Sequence, residues 1–137
     1  MTLNLLKLCV GVAEVDELVD WQRRRLKAER KLYHTTRMIP RRREELLDGG
    51  SLYWVIKGQV QCRQRLTDIV PFTDDEGIGR CRLMLDREIV LTRSQPRRAF
   101  QGWRYLVPAD APADLVAGDV AGLPPEMRAE LAELGLL

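Results

Sequence analysis

The spacing of apolar residues changes several times along the chain, and each change predicts an element. Residues 5–12 form an apolar run broken by Lys7, which predicts a first strand ended by a turn at residues 11–13. Over residues 14–31, Val15, Leu18, Val19, Gln22 and Leu26 recur at helical spacing, with Gln22 as one polar gap in the stripe. Glu14, Asp16, Glu17 and Asp20 open this helix, and Arg23, Arg24, Arg25, Lys27, Arg30 and Lys31 close it, an order that complements the helix dipole. Residues 33–39 predict a short strand. Pro40 then opens a second helix that runs through Leu47 and stops at Asp48, Gly49 and Gly50. Residues 52–70 predict one long bent strand or two shorter ones, with Gly58 as the place for a bulge or kink. After a turn at residues 74–77, Cys81, Leu83 and Leu85 alternate with Arg80, Arg82 and Met84 as in a half-buried strand. Further strand character lies at residues 89–91 and, past a loop at Pro96, at residues 100–106. Residues 108–125, rich in Pro, Ala, Gly and Asp, predict a surface wrap, and residues 126–134 a short C-terminal helix. The order predicts a single α+β domain over residues 1–137: a mostly antiparallel, curved or partly closed sheet with two or three flanking helices.

Composition narrows the class of protein. A domain of 137 residues buries about two thirds of its unfolded surface, so no covalent staple is required. Cys9, Cys62 and Cys81 are odd in number, Cys9 in an apolar run and the other two on the apolar faces of alternating stretches, which reads as reduced thiols in a cytosolic protein. Lys7 inside the first apolar run, with acidic Glu14, Asp16 and Glu17 after it, is unlike a secretory signal. Nothing approaches the roughly 18 consecutive apolar residues of a membrane span, so the expectation is a soluble, cytoplasmic protein. His34 is the sole histidine, which excludes a histidine metal cluster. Asp74, Asp75 and Glu76 lack the spacing of a calcium loop, and no glycine-rich phosphate loop opens a helix. Neither metal nor cofactor is expected.

Charge points to a ligand. The net charge of +2 hides a segregation: residues 1–22 carry net −3, residues 105–137 net −5 and residues 23–104 net +10, and 18 of the 22 basic side chains are arginine, which suits bidentate phosphate contacts. Within the basic segment, SLYWVIKGQVQCRQR at residues 51–65 alternates so that Leu52, Trp54, Ile56, Val60 and Cys62 share one face. Lys57, Gln59, Gln61, Arg63 and Arg65 share the other. Such a ladder is either a solvated sheet face or a nucleic-acid groove, with Lys57, Arg63 and Arg65 on phosphates and the two glutamines on sugar or base edges. In Arg97, Arg98, Trp103, Arg104 and Tyr105, aromatic rings interleave with arginines, the composition of a base-stacking site; Trp103 as a core residue is the alternative. His34, Thr36 and Arg37 predict a polar pocket.

The segments LNLLKLCVGV at residues 3–12, SLYWVIKGQVQCRQR and PRRAFQGWRYL at residues 96–106 resemble a family of small alphaproteobacterial proteins known as a domain of unknown function. The resemblance implies a bacterial cytosolic protein and supplies no activity. A more distant similarity is to PUA-like folds, including ASCH-type domains, pseudo-barrels that bind RNA or modified nucleotides. Of the ASCH pattern Gly-x-Lys-x-x-Glu-x-Arg, Gly58 and Arg65 match, whereas Val60 and Arg63 replace its lysine and glutamate. The leading expectation is non-catalytic binding of RNA or another nucleic acid or nucleotide in a basic groove. The alternatives are a small enzyme on a nucleotide or RNA, with His34 as acid or base and Arg37 on phosphate, and a protein-interaction domain whose basic face the acidic tail could dock.

Overall fold

A computed structural model of the protein describes residues 2–115. In chain order the elements are β1 (Asn4–Leu8), α1 (Val15–Glu29), β2 (Tyr33–Thr36), α2 (Arg43–Leu47), β3 (Ser51–Ile56), β4 (Gln59–Thr73), β5 (Gly79–Leu85), β6 (Val90–Pro96) and β7 (Trp103–Leu106), followed by a 3₁₀ turn at Pro108–Asp110. The predicted helix at residues 126–134 and most of the predicted wrap lie outside the described residues. The seven strands form one curled, open sheet in the order β2-β5-β4-β3-β1-β7, with β6 also on β4. Among the described residues β1–β3 is the one parallel pairing, and the chain between those strands, carrying α1, β2 and α2, is the crossover it requires. The α+β class and the predominantly antiparallel sheet match the sequence pattern.

The segment at residues 51–65 is a hairpin, not one strand bent at Gly58. Lys57 and Gly58 are the two turn residues, with φ of 52° and 74°, and positive φ at both central positions is the signature of a type I′ turn whose twist suits the flanking strands. Gly58→Ala should cost about 1 kcal/mol, the penalty of a side chain in the left-handed region, read from the urea midpoint; a stability equal to the parent would mean the turn is not held in this conformation. Past the turn, β4 carries an extra residue: Trp54 faces Cys62 and Val55 faces Val60, leaving Gln61 as a bulge whose Nε2 donates to the Ile56 carbonyl at 2.7 Å.

That bulge reverses the alternation and helps create two cores. Leu52, Trp54, Ile56 and Cys62 pack with Leu5, Leu18, Leu66 and Leu83 in the main core under α1, while Val55 and Val60 join Leu6, Tyr53 and Leu106 in a second cluster on the opposite side. Both faces of β3 are therefore buried, and the expectation that the face opposite Leu52, Trp54 and Ile56 is solvated or lines a groove is corrected for this strand.

The polar gap at Gln22 has a structural purpose. Gln22 and Gln64, both buried, exchange reciprocal amide hydrogen bonds of 2.6 and 2.7 Å across the core between α1 and β4. Gln64 Oε1 also accepts from Trp54 Nε1 at 2.9 Å, and its Nε2 donates to the Asp86 carbonyl at 3.1 Å. Every hydrogen-bonding site of the Gln64 amide is thereby used, as a polar group in an apolar core requires. The Trp54 ring is fixed by this network, and it forms the floor of the site described next.

Candidate functional site

Where β1 ends, the chain turns away from the sheet through Cys9–Val12 before α1 begins, and the splay between the two opens a pocket. Its volume is about 470 Å³, and its lining includes Lys7, Cys9, Glu17, Trp21, Arg24, His34 and Trp54. Lys7 follows Leu3 and Leu5 at alternate positions and pairs with Trp54 across β3, so it points inward on a central strand. Burial lowers its pKa, partly opposed by Cys9. Burial likewise raises the Cys9 thiol to about 11, so it is protonated at neutral pH. From α1, Glu17, Trp21 and Arg24 fall at helical spacing on the face that closes the pocket.

His34 comes from β2, opposite Leu83 and on the inner face of the sheet. Its ring stands edge-on to Trp54 at a centroid distance of 5.2 Å and an interplanar angle of 90°. Burial depresses its pKa to about 4, with the nearby charges of Lys7 and Arg25 acting in the same direction, so the imidazole is neutral. Its Nε2 is buried without a hydrogen-bond partner. Buried polar atoms are satisfied in the great majority of cases, so an unpartnered one on a residue that lines a pocket marks a point at which a ligand can be held. The pocket is open, with Val10 85% and Trp21 40% exposed at its rim beside the exposed charges of Glu17, Asp20 and Arg24.

The other sequence-predicted residues lie elsewhere. Lys57 is exposed on the hairpin turn, at the same end of the sheet as the pocket, since Cys9 N bonds to the Val55 carbonyl. Gln59 is exposed, Gln61 occupies the bulge, and Arg65 lines a recess of about 300 Å³ with Arg63, Asp86, Glu88, Val90 and Asp114. Arg63 forks onto both carboxylate oxygens of Asp114 at 2.7 Å and reaches Ser51 Oγ at 3.1 Å. This contact is part of a longer attachment: Thr92 bridges Asp114, Arg93 N donates to the Ala113 carbonyl and Leu115 N to that of Leu91, so residues 113–115 lie along β6. The ladder is thus distributed over a turn, a bulge and an intramolecular ion pair.

The aromatic group is divided in the same way. Trp103 is 4% exposed in the main core, and its Nε1 donates to the Met38 carbonyl at 2.6 Å, so its faces are not free to stack a base. Tyr105 packs edge-on to Trp103 at 4.8 Å, and its hydroxyl accepts from the backbone N–H groups of Arg41 and Arg42. Arg104 donates to the carbonyls of Gln101 and Trp103, and Arg97 to Gln95 Oε1, while Arg98 is exposed. In the predicted polar pocket, His34 faces the cavity, whereas Thr36 is buried with its hydroxyl on the Met38 carbonyl and Arg37 is exposed away from it. Lys7, Cys9, Trp21, Arg24 and Trp54 were not anticipated as site residues. The alternation of Lys7 with Leu3, Leu5 and Cys9 was the available signal for an inward-pointing cation.

Among the described residues no helix is long and apolar enough to cross a membrane, and no group of three His, Cys, Asp or Glu side chains is placed to hold a metal ion. No curated protein and no solved structure matches the chain. Residues 5–137 match the family described as Protein of unknown function (DUF1489), and the chain belongs to that family.

Proposed function

We propose that this protein binds RNA or another nucleic acid without catalysing a reaction on it, and that it does so by seating one nucleotide in the His34 pocket. The observation that carries the reading is the buried, unpartnered Nε2 of a neutral His34, a residue that stands edge-on to Trp54 and lines an open cavity. A neutral imidazole can donate or accept, which suits the mixed edge of a nucleobase. The apolar walls from Val12, Leu18, Trp21 and Trp54 suit its flat faces, and Lys7 and Arg24 supply positive charge for a phosphate. Exposed Lys57, at the same end of the sheet, extends the basic surface beyond the pocket. The proposal retains a PUA-like reading of the curled sheet and an alphaproteobacterial, cytoplasmic setting. A pKa of about 4 makes His34 a weak base, which favours binding over general-base catalysis.

Titration calorimetry with a panel of nucleoside monophosphates and short single-stranded RNAs tests this reading. Binding of at least one of them is expected at low salt, and Lys7→Met should weaken it about tenfold or more, the effect of losing one charge-assisted contact. Absence of binding across the panel, or a folded Lys7→Met variant that binds like the parent, would remove the proposal.

A further inference from the structure

We propose that a track for the sugar-phosphate backbone leaves the pocket at Trp21, rounds the free edge of β2 and crosses the outer face of the sheet to Arg82. This rests on the nucleotide reading of the pocket and extends it from one nucleotide to a single-stranded chain. Five side chains from four elements make the track. The Arg25 guanidinium carbon lies 4.2 Å from the ring centroid of Trp21 and 4.9 Å from that of Tyr33. The Arg82 guanidinium carbon lies 4.6 Å from the centroid of Tyr33 and 4.9 Å from that of Phe72. Trp21 belongs both to this series and to the pocket lining, so the two are continuous. His34 pairs with Leu83 on the inner face of the sheet, whereas Thr35 pairs with Arg82, so the strand alternation turns Tyr33 and Arg82 outward.

The charges in the series are not equivalent. Arg25 donates to the Tyr33 carbonyl at 3.0 Å and lies 3.6 Å from the Glu29 carboxylate. Arg80, the next outward residue on β5, is paired with Asp74. Among the described residues the Arg82 side chain has neither an ion pair nor a hydrogen bond, and its Nε is buried without a partner. Its guanidinium is held in place by ring contacts that leave its donors unused. A planar fork of fixed orientation with free N–H groups matches a phosphodiester, and the rings beside it offer stacking surfaces that any base can use.

Labelled single-stranded RNA of about eight nucleotides, compared with a mononucleotide, tests the track in the parent, Arg82→Ala and Arg82→Lys proteins, with thermal midpoints confirming that each variant folds. The oligonucleotide is expected to bind the parent at least tenfold more tightly than the mononucleotide. Arg82→Ala should remove most of that gain and make the log–log salt slope shallower by about 0.7, one phosphate contact, with mononucleotide affinity unchanged. Arg82→Lys keeps the slope but loses part of the affinity, because charge is retained and the planar fork is not. A mononucleotide that binds while the oligonucleotide gains nothing, or gains equally in folded Arg82→Ala, overturns the track and leaves the pocket reading standing. Failure of both ligands to bind overturns both. Displacement of the RNA by polyglutamate as readily as by unlabelled RNA would identify the face as a site for acidic protein segments and overturn the nucleic-acid assignment.

Discussion

Gln64→Ala should destabilise the protein by about 5 kcal/mol, a large fraction of the total stability of a domain of this size. Truncation leaves a cavity in a fully buried position, which alone costs on the order of 2 to 3 kcal/mol. It also strands the amide of Gln22, the Nε1 of Trp54 and the Asp86 carbonyl, and each buried group without a partner adds roughly 1 kcal/mol or more. Gln64→Leu separates the two contributions, because it restores most of the volume and none of the hydrogen bonds. The double variant Gln22→Leu with Gln64→Leu removes both amides, so it should be more stable than the sum of the single losses by about 1 kcal/mol or more. Urea denaturation of the parent, Gln64→Ala, Gln64→Leu, Gln22→Leu and the double variant reads all of these values. A Gln64→Ala loss below about 1 kcal/mol would mean that the amide pair does not organise the core. Because Trp54 is tethered to Gln64 and packed against His34, Gln64→Leu is also expected to loosen the pocket floor.

How much of this could be read from the chain depends on how far each contact reaches. The helix over α1, the pairing of Cys81, Leu83 and Leu85 inward against Arg80, Arg82 and Met84 outward, and the α+β order follow from periods of a few residues, and the sequence displays them. The stripe on α1 showed that Gln22 interrupts an apolar face, yet its reason sits 42 positions away at Gln64. The hairpin at Lys57 and Gly58 was concealed because lysine stands where asparagine or aspartate would announce a type I′ turn. The bulge at Gln61 leaves no local mark, and its consequence, a reversal of faces, dismantled the ladder that strict alternation drew from Lys57 to Arg65. Arg63 illustrates the same limit in charge: an arginine on a strand face looks available until Asp114, 51 residues later, takes both prongs of its fork. His34 was legible as a polar residue near a pocket, but the pocket itself is assembled from β1, α1, β2 and β3, and only the fold brings them together.

The neutral His34 makes stability depend on pH. Its pKa is about 4 in the folded protein against an ordinary 6.5, so between those values the unfolded chain binds a proton that the folded protein refuses. Stability is then fully present above pH 6.5, declines as the pH falls towards 4, and loses nothing further from this group below that. The whole interval amounts to about 3 kcal/mol, of which about 2 kcal/mol is gone by pH 5. Carboxylates held low in the folded state, such as Asp74 by Arg80 and Asp114 by Arg63, also lose stability on acidification, so the parent alone cannot isolate the histidine. His34→Phe can, because it keeps an aromatic ring against Trp54 and cannot titrate, while the carboxylate contribution stays common to both proteins. The difference in unfolding free energy between His34→Phe and the parent should therefore shift by about 2 kcal/mol in favour of the variant between pH 7.5 and pH 5. Equal pH profiles would place the folded-state imidazole near its ordinary pKa. That result would mean that His34 is hydrated or hydrogen-bonded in solution, and the unpartnered Nε2 on which the nucleotide pocket depends would no longer be available to a ligand.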